Sequence, residues 1–561
     1  MSKISRFALL GAGVLALASC KSMDLSEDAF TVTPQILEAV GGEVPVTVDG
    51  TFPEKYFKKK AIVTVTPVLQ WAGGSVAGDP ASFQGQKIQG NNRTVVKKNG
   101  ANYTITTSFP YQPEMRVSEL YATFDAKKKS GKKIEIEPVK LADGVISTAE
   151  LYANTAGNGN TAAAEDGYQR IIKQAQEANI MFLIQQANVR SSETGSDAIA
   201  ALKEVMKTVA ADTKNYGVEN LEVSAYASPD GATSLNENLA GQREKNATKY
   251  IQKEMKNSKL NTAVDSKYTA EDWDGFKTLV QESNLQDKEL ILSVLSMYSD
   301  PERRESEIKN ISSVYSELAD EILPQLRRAR LTLNYQLIGR SDEEIAEAYA
   351  SQPSVLSCNE ILYYANLTKD AAKKIEILNT AIKQYPNDYR AYNNLAQIYF
   401  ETGQFDKAKE QLTKAASLNA AAAEVNTNLG LVALTASDPK AAATYLAKGA
   451  GKENAEALGN LYIAQGQYER ALSELKGSNT EAEALALIMN KDYSGAKRVL
   501  SAIAVPTGYT YYLQAVAAAR TNDAAAVAQN LKKAVAADPS LKAAAKSDVE
   551  FAKFASAVEA L

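Results

Sequence analysis

The spacing of hydrophobic positions changes character twice along the chain. From Phe30 to Thr148 it alternates: Phe30-Thr31-Val32-Thr33, Val44 to Val48, Ala61 to Thr66, Asn102 to Thr106, Leu120 to Phe124 and Lys133 to Ile136. A period of two, broken by Gly, Pro and Asn clusters, predicts short antiparallel strands. Residues 149–165 lose all periodicity. Ala153 to Asn160 is small and polar, the composition of a flexible linker.

From residue 166 strand and helix patterns alternate. Ile180 to Ile184 reads as a buried strand, Ala198 to Val209 as an amphipathic helix and Leu221 to Ala225 as a half-buried strand. Tyr226 to Gly231 supplies turn chemistry. A long helix follows, with Asn236 placed to cap it and Leu239, Ala247, Tyr250 and Ile251 at helical spacing. Residues 256–323 read as a helical insertion and Leu331 to Tyr335 as a last strand, which makes 166–340 an α/β domain.

Residues 341–561 are helical and repetitive. Tyr392, Leu395, Ala396, Tyr399, Gly403, Phe405, Ala408, Leu412 and Ala415 are echoed by Leu429, Gly430, Ala442 and Leu446, then by Leu458, Gly459, Tyr462, Gly466, Tyr468, Ala471 and Leu475. This resembles the tetratricopeptide pattern, with a period of about 34 residues. Weaker copies surround Leu378, Ala381 and Pro386, Tyr493, Ala496 and Leu500, and Leu531, Ala534 and Pro539. The resemblance implies an α-helical solenoid whose small residues let helices approach and whose concave helices bind partners. There Asn394 and Asn428 share one phase of successive repeats, where a carboxamide can bond an extended peptide's backbone; two solvated polar residues would look the same.

Charge and composition remove several function classes. The 561 residues carry 62 basic and 67 acidic side chains, a net charge of -5, without the basic footprint of a nucleic-acid binder. Histidine is absent, which excludes Ser-His-Asp and Cys-His devices and imidazole-ligated metals. Neither a phosphate-cradling Gly-rich loop nor a metal-ligand cluster occurs. The chain is therefore expected to be no enzyme, with no catalytic residue, metal or cofactor. Of the two cysteines, Cys358 is expected to be a buried small hydrophobe.

The other, Cys20, follows Lys3, Arg6 and the apolar run Phe7 to Ala18, the layout of a secretory signal. Leu17-Ala18-Ser19-Cys20 resembles the lipobox of bacterial lipoproteins. That resemblance implies a signal peptide over 1–19, acylation of Cys20 and a tether over 20–29. Lys21 after the Cys implies an outer-membrane destination, the periplasmic face being the expected side.

Two further resemblances concern the folds. Residues 30–148 resemble an immunoglobulin-like sandwich. The stretch Tyr226, Gly231, Asn236, Leu239, Arg243, Tyr250, Ile251 matches, without a gap, the peptidoglycan-binding domain of the OmpA-like family, of the kind found in Bacteroidetes. In that family an Asp and an Arg grip the diaminopimelate of the wall peptide. Arg243 holds the Arg position, Ser228 stands where the Asp belongs, and Asp230 is the nearest acid. Peptidoglycan-binding candidates are therefore Arg243, Asp230, Ser228 and Asn236; pairing of Arg243 with Asp230 or Glu244 on a solvated helix is the plainer alternative.

The expected function is a non-enzymatic outer-membrane lipoprotein that links the membrane to peptidoglycan through the central domain and binds proteins through its repeats, with Asn394 and Asn428 as contacts. The alternative is an envelope assembly scaffold whose central domain no longer binds peptidoglycan.

Overall fold

The computed structural model describes residues 25–561 except 286 and 311, and not the side chains of residues 312–314. Cys20, the signal segment and the first residues of the tether lie outside the described residues. The chain forms two compact units. One joins the residues up to Asp166 with Ala365–Leu561, and the other is Gly167–Tyr364.

The first unit begins as a β-rich region. Glu43–Phe52 is flanked by Phe30–Thr33 and Ala101–Pro110 in one antiparallel sheet. A second sheet runs in the order Ile36–Glu38, Val139–Ile146, Ser118–Lys128, Ala61–Trp71, Ala81–Gly85, Arg93–Val95. The alternation explains the packing: Val44, Val46 and Val48 are buried while Pro45 is exposed and Thr47 half-buried, and Val63 and Val65 meet Phe52, Tyr103 and Ile105 between the sheets. Val139–Ile146 escapes the pattern because Lys140 and Asp143 interrupt its apolar run, and the ladder shifts register there. Only Lys133–Ile134 of the expected Lys133 to Ile136 is strand.

The rest of this unit is an array of helical hairpins, Tyr389–Glu401 with Phe405–Leu418, Ala423–Thr435 with Pro439–Leu446, and Gly451–Ala464 with Tyr468–Leu475, continued by Glu481–Met489 with Tyr493–Ala502 and Gly508–Arg520 with Ala524–Ala537. Asp370, Asp388, Asp438, Asp492 and Asp523 each cap one helix by accepting a backbone N–H of its first turn. Gly403 and Gly466, at φ +72° and +70°, end the first helix of their hairpins in the left-handed region open to glycine. The repeated small residues Ala396, Ala408, Gly430, Ala442 and Gly459 are buried where helices cross.

In the second unit a four-stranded sheet runs Ile171–Met181, Arg328–Ile338, Tyr216–Tyr226, Val264–Thr269, the last pair parallel and the others antiparallel. The helices Asp197–Ala211 and Thr233–Asn257 cover one face through Ile199, Leu202, Met206, Ala247 and Ile251, against Ile180, Val223 and Leu331. The first strand ends at Met181, earlier than expected, because Phe182 to Gln186 turns away to meet Arg243. The stretch read as a helical insertion contains the strand Val264–Thr269 before its helices, which bury Phe276, Ile291, Leu295, Ile322 and Leu326 in a core of their own. Asn236 does not cap the long helix. Ala232 holds that position, and Asn236 lies buried in the first turn, donating to the Gly231 carbonyl at 2.9 Å. Helix Asp342–Ser351 groups with this unit rather than with the array.

Candidate functional site

The first helices of successive hairpins form a trough, and the chain itself lies in it. Residues 149–165, expected to be a flexible linker, are ordered as the short helix Tyr152–Gly157 followed by extended chain. Tyr152 and Ala156 are buried in the core of the array. Lack of periodicity signalled only that this segment makes no core of its own; its amides, hydroxyls and small side chains suit a polar trough.

Segment and array run in opposite directions. Thr148 donates to Glu550 at 2.6 Å, Asn154 to the Tyr509 hydroxyl at 2.6 Å, and Asn158 to Glu481 at 2.7 Å. Next come Asn160 to Glu456 at 2.8 Å, then Ala162 at Asn428 and Ala164 at Asn394. Arg390 finally donates to the Asp166 carbonyl at 2.8 Å. Each backbone polar group taken from water must find a partner, and the asparagines supply them in pairs. Asn394 accepts from the Ala164 N–H at 2.8 Å and donates to the Ala164 carbonyl at 2.9 Å. Asn428 does the same for Ala162, and Asn393 donates a further bond to that carbonyl at 3.0 Å. Extended backbone presents every second residue to one side, so Ala162 and Ala164 turn into the trough while Ala163 and Glu165 stay exposed.

The predicted amide chemistry of Asn394 and Asn428 is thus present, and its occupant is the chain itself. Asn393, Glu456, Asn460, Glu481 and Tyr509 were not singled out from sequence. Asn393 adjoins Asn394 and offered a signal; the carboxylates looked like ordinary helix charges. A cavity of about 200 Å³ remains beside the segment, lined by Thr155, Asn158, Asn160, Glu456, Asn460 and Glu481 among others.

In the second unit Arg243, Asp230, Ser228 and Asn236 line one recess of about 50 Å³, together with Arg327. Arg243 pairs with neither Asp230 nor Glu244. Only 1% exposed, it donates to the carbonyls of Gln186 at 3.0 Å, Tyr226 at 2.9 Å and Leu183 at 3.3 Å. Burial draws its guanidinium down to about 10, the neighbouring Arg327 charge adding to the fall and Asp230 opposing it. Asp230 is held instead by Arg327, at 3.0 Å, and Ser228 donates to Asp230 while accepting from the Arg327 Nε at 3.1 Å. Arg327 lies in the run Arg327-Arg328-Ala329-Arg330, where nothing in the sequence separates it from its basic neighbours.

Cys358 is half-buried at the start of the helix Cys358–Leu367 and forms no disulfide, so it is less enclosed than a core residue. Among the described residues no helix is long and apolar enough to cross a membrane.

Residues 377–410 match the tetratricopeptide repeat family model. No curated protein matches the chain. Among solved structures the chain is similar to a tetratricopeptide repeat protein from Parabacteroides merdae, at 16% identity over 35% of this chain and 85% of that one, with a TM-score of 0.29. A thermophilic repeat protein of Thermus thermophilus is 18% identical over 29% and 89%, at a TM-score of 0.22. The pilF protein of Pseudomonas aeruginosa is 18% identical over 39% and 99%, at 0.25. The chain has an N-terminal β-rich region and a C-terminal helical region with tetratricopeptide repeats, a protein-interaction scaffold.

Proposed function

We propose that this chain is a non-enzymatic scaffold of the bacterial envelope in which the repeat array grips extended backbone and, in the state described, grips its own. One observation carries this reading: Asn394 and Asn428 each satisfy both backbone groups of one alanine of the segment. A cis segment competes at an effective concentration near millimolar for a short tether, so outside peptides meet a filled trough. The β-rich region is then an immunoglobulin-like domain fixed to the array. Cys20, in its lipobox-like setting, is the proposed point of acylation, and Lys21 after it favours an outer-membrane destination. The test replaces Ala162 and Ala164 by proline, which removes the two N–H groups that Asn428 and Asn394 accept. The variant should bind a synthetic peptide of residues 158–166, and the parent chain should not; failure of the folded variant to bind it would sink the reading.

A second reading keeps the central unit as an OmpA-like domain that binds peptidoglycan. It is favoured by one observation, that the candidate positions Arg243, Asp230, Ser228 and Asn236 converge on a single recess. Sacculus pull-down of the intact chain beside Asp230→Asn and Arg327→Gln tests it. Capture that both substitutions abolish supports a wall tether, whereas no capture by the folded parent leaves the scaffold alone.

A further inference from the structure

The uncovered face of the four-stranded sheet has sorted charge. Cross-strand partners share a face, and the residues turned away from the helices fall into rows that the register fixes. Glu177, Thr332, Glu222 and Asp265 form one row. The next is Asn179, Arg330, Ser224 and Lys267. Beyond it, Met181 pairs with Arg328 and Tyr226 with Thr269. Among these three rows acid is confined to the first and cations to the other two; farther along the same face Lys173 and Glu219 pair with each other at 3.1 Å.

A cleft of about 670 Å³ opens over the cationic rows only, between the sheet and the helix Trp273–Glu282. That is the size range of small-molecule sites. Its walls include Asn179, Tyr226, Lys267, Asp274, Gln325 and Arg330. Tyr226 is the fixed centre: the Arg328 guanidinium lies 4.5 Å from its ring centroid and that of Arg330 5.9 Å, and Arg330 also donates to the Tyr226 hydroxyl at 3.2 Å. Arg328 is neutralised by Asp272 at 2.9 Å. Arg330 and Lys267 make no ion pair among the described residues, and Arg330 is held in place by a phenol rather than by a carboxylate, so its charge is positioned and uncompensated. The Asn179 and Gln325 amides, the Thr269 and Thr278 hydroxyls and the Asp274 carboxylate can bond ligand hydroxyls, and the Arg330 guanidinium and Lys267 ammonium suit one negative group.

We propose that this cleft binds an anionic saccharide, its carboxylate or phosphate ester held by Arg330 and Lys267 and its hydroxyls by the amide and hydroxyl side chains around Tyr226. The site is separate from the Arg243 recess and stands whether or not that recess binds the wall.

The test titrates the intact chain calorimetrically with an oligogalacturonate, the matching neutral oligogalactan, a hexose phosphate and inorganic phosphate, beside Arg330→Gln and Lys267→Gln. Both substituted side chains face the open cleft, and an unchanged melting temperature verifies their folds. Saturable binding of the sugar acid or the sugar phosphate, weakened about tenfold by each substitution, is the expected result, and the tighter of the two identifies the anion. Binding of the neutral sugar as tight as the charged ones, binding of inorganic phosphate as tight as the hexose phosphate, affinity unmoved by both substitutions, or no binding of either charged sugar would each overturn the proposal.

Discussion

Asn428 holds Ala162 by both of its backbone groups: the carboxamide oxygen accepts the Ala162 N–H at 2.8 Å and the nitrogen donates to the Ala162 carbonyl at 2.8 Å. Asn394 repeats the arrangement at Ala164, whose carbonyl, unlike that of Ala162, has no second asparagine donor shown to it. Truncation strands buried backbone groups, which costs about 1–3 kcal/mol per site. Asn428→Ala and Asn394→Ala should each lower the melting temperature of the first unit, Asn394→Ala the more. Amide exchange of residues 160–166 should accelerate in both. Protected amides in the double variant would show that the segment is held by its side chains and not by this backbone clamp.

How far this arrangement was legible follows from the same residues. The phase of Asn394 and Asn428 in the repeat, and the peptide backbone as their target, could be read because tetratricopeptide spacing is local and periodic. That the target is Ala162 and Ala164 could not, since nothing local links positions more than two hundred residues apart. The central sheet shows a similar division. The alternation of Leu221, Val223 and Ala225 was plain, whereas Val264–Thr269 has an exposed row of Asp265, Ser266, Lys267 and Tyr268 and gave no strand signal. Arg243 was found by spacing; its use of three carbonyls depends on where Leu183 and Gln186 turn, which only the fold decides.

That use carries its own prediction. Arg243 gathers Leu183, Gln186 and Tyr226 through one planar fork. Arg243→Ala opens a cavity and leaves carbonyls unpaired, a loss of about 3 kcal/mol or more. Arg243→Lys should recover little, because a single ammonium cannot reproduce the fork. Chemical denaturation of the second unit's transition measures both. If Arg243→Lys proved as stable as the parent, the guanidinium's role as a three-way tie would be wrong.

Arg520 joins the β-rich region to the end of the array, reaching Glu38 at 2.8 Å and the Glu550 carboxylate at 2.8 Å. Burial raises the Glu550 carboxyl above its ordinary value of 4.5, with Arg520 and Thr148 opposing the rise. Arg520→Met removes the main opposing charge, so the rise must grow. For an acid whose folded value lies above its unfolded one, stability is complete below the unfolded value and falls as pH climbs through the folded value. The Arg520→Met penalty should therefore be small below pH 4.5 and increase toward neutral pH, where removing one partner of a buried pair costs about 3–5 kcal/mol. Melting temperatures of parent and variant across that range test it. Adding Glu550→Gln to Arg520→Met should flatten the dependence, and a penalty independent of pH would assign the loss to packing of the arginine stem.

The last prediction concerns the repeat itself. Gly459 lies against Leu475, so a Cβ at this position would overlap the branched end of that side chain. Leu475 is fully buried and cannot swing into solvent. Overpacking of this kind costs about 1–3 kcal/mol, more than the roughly 1 kcal/mol of helix propensity that Gly459→Ala gains. The single variant should thus be destabilised although alanine is the better helix former. Leu475→Ala alone leaves a cavity and should lose about 2–5 kcal/mol. Combined, the new methyl enters part of the vacated space, so the double variant should be more stable than the sum of the single losses implies, a coupling that thermal unfolding of the four proteins measures. Strict additivity would mean that the helices Gly451–Ala464 and Tyr468–Leu475 separate to admit the methyl, and that their close crossing is not what the glycine is there to allow.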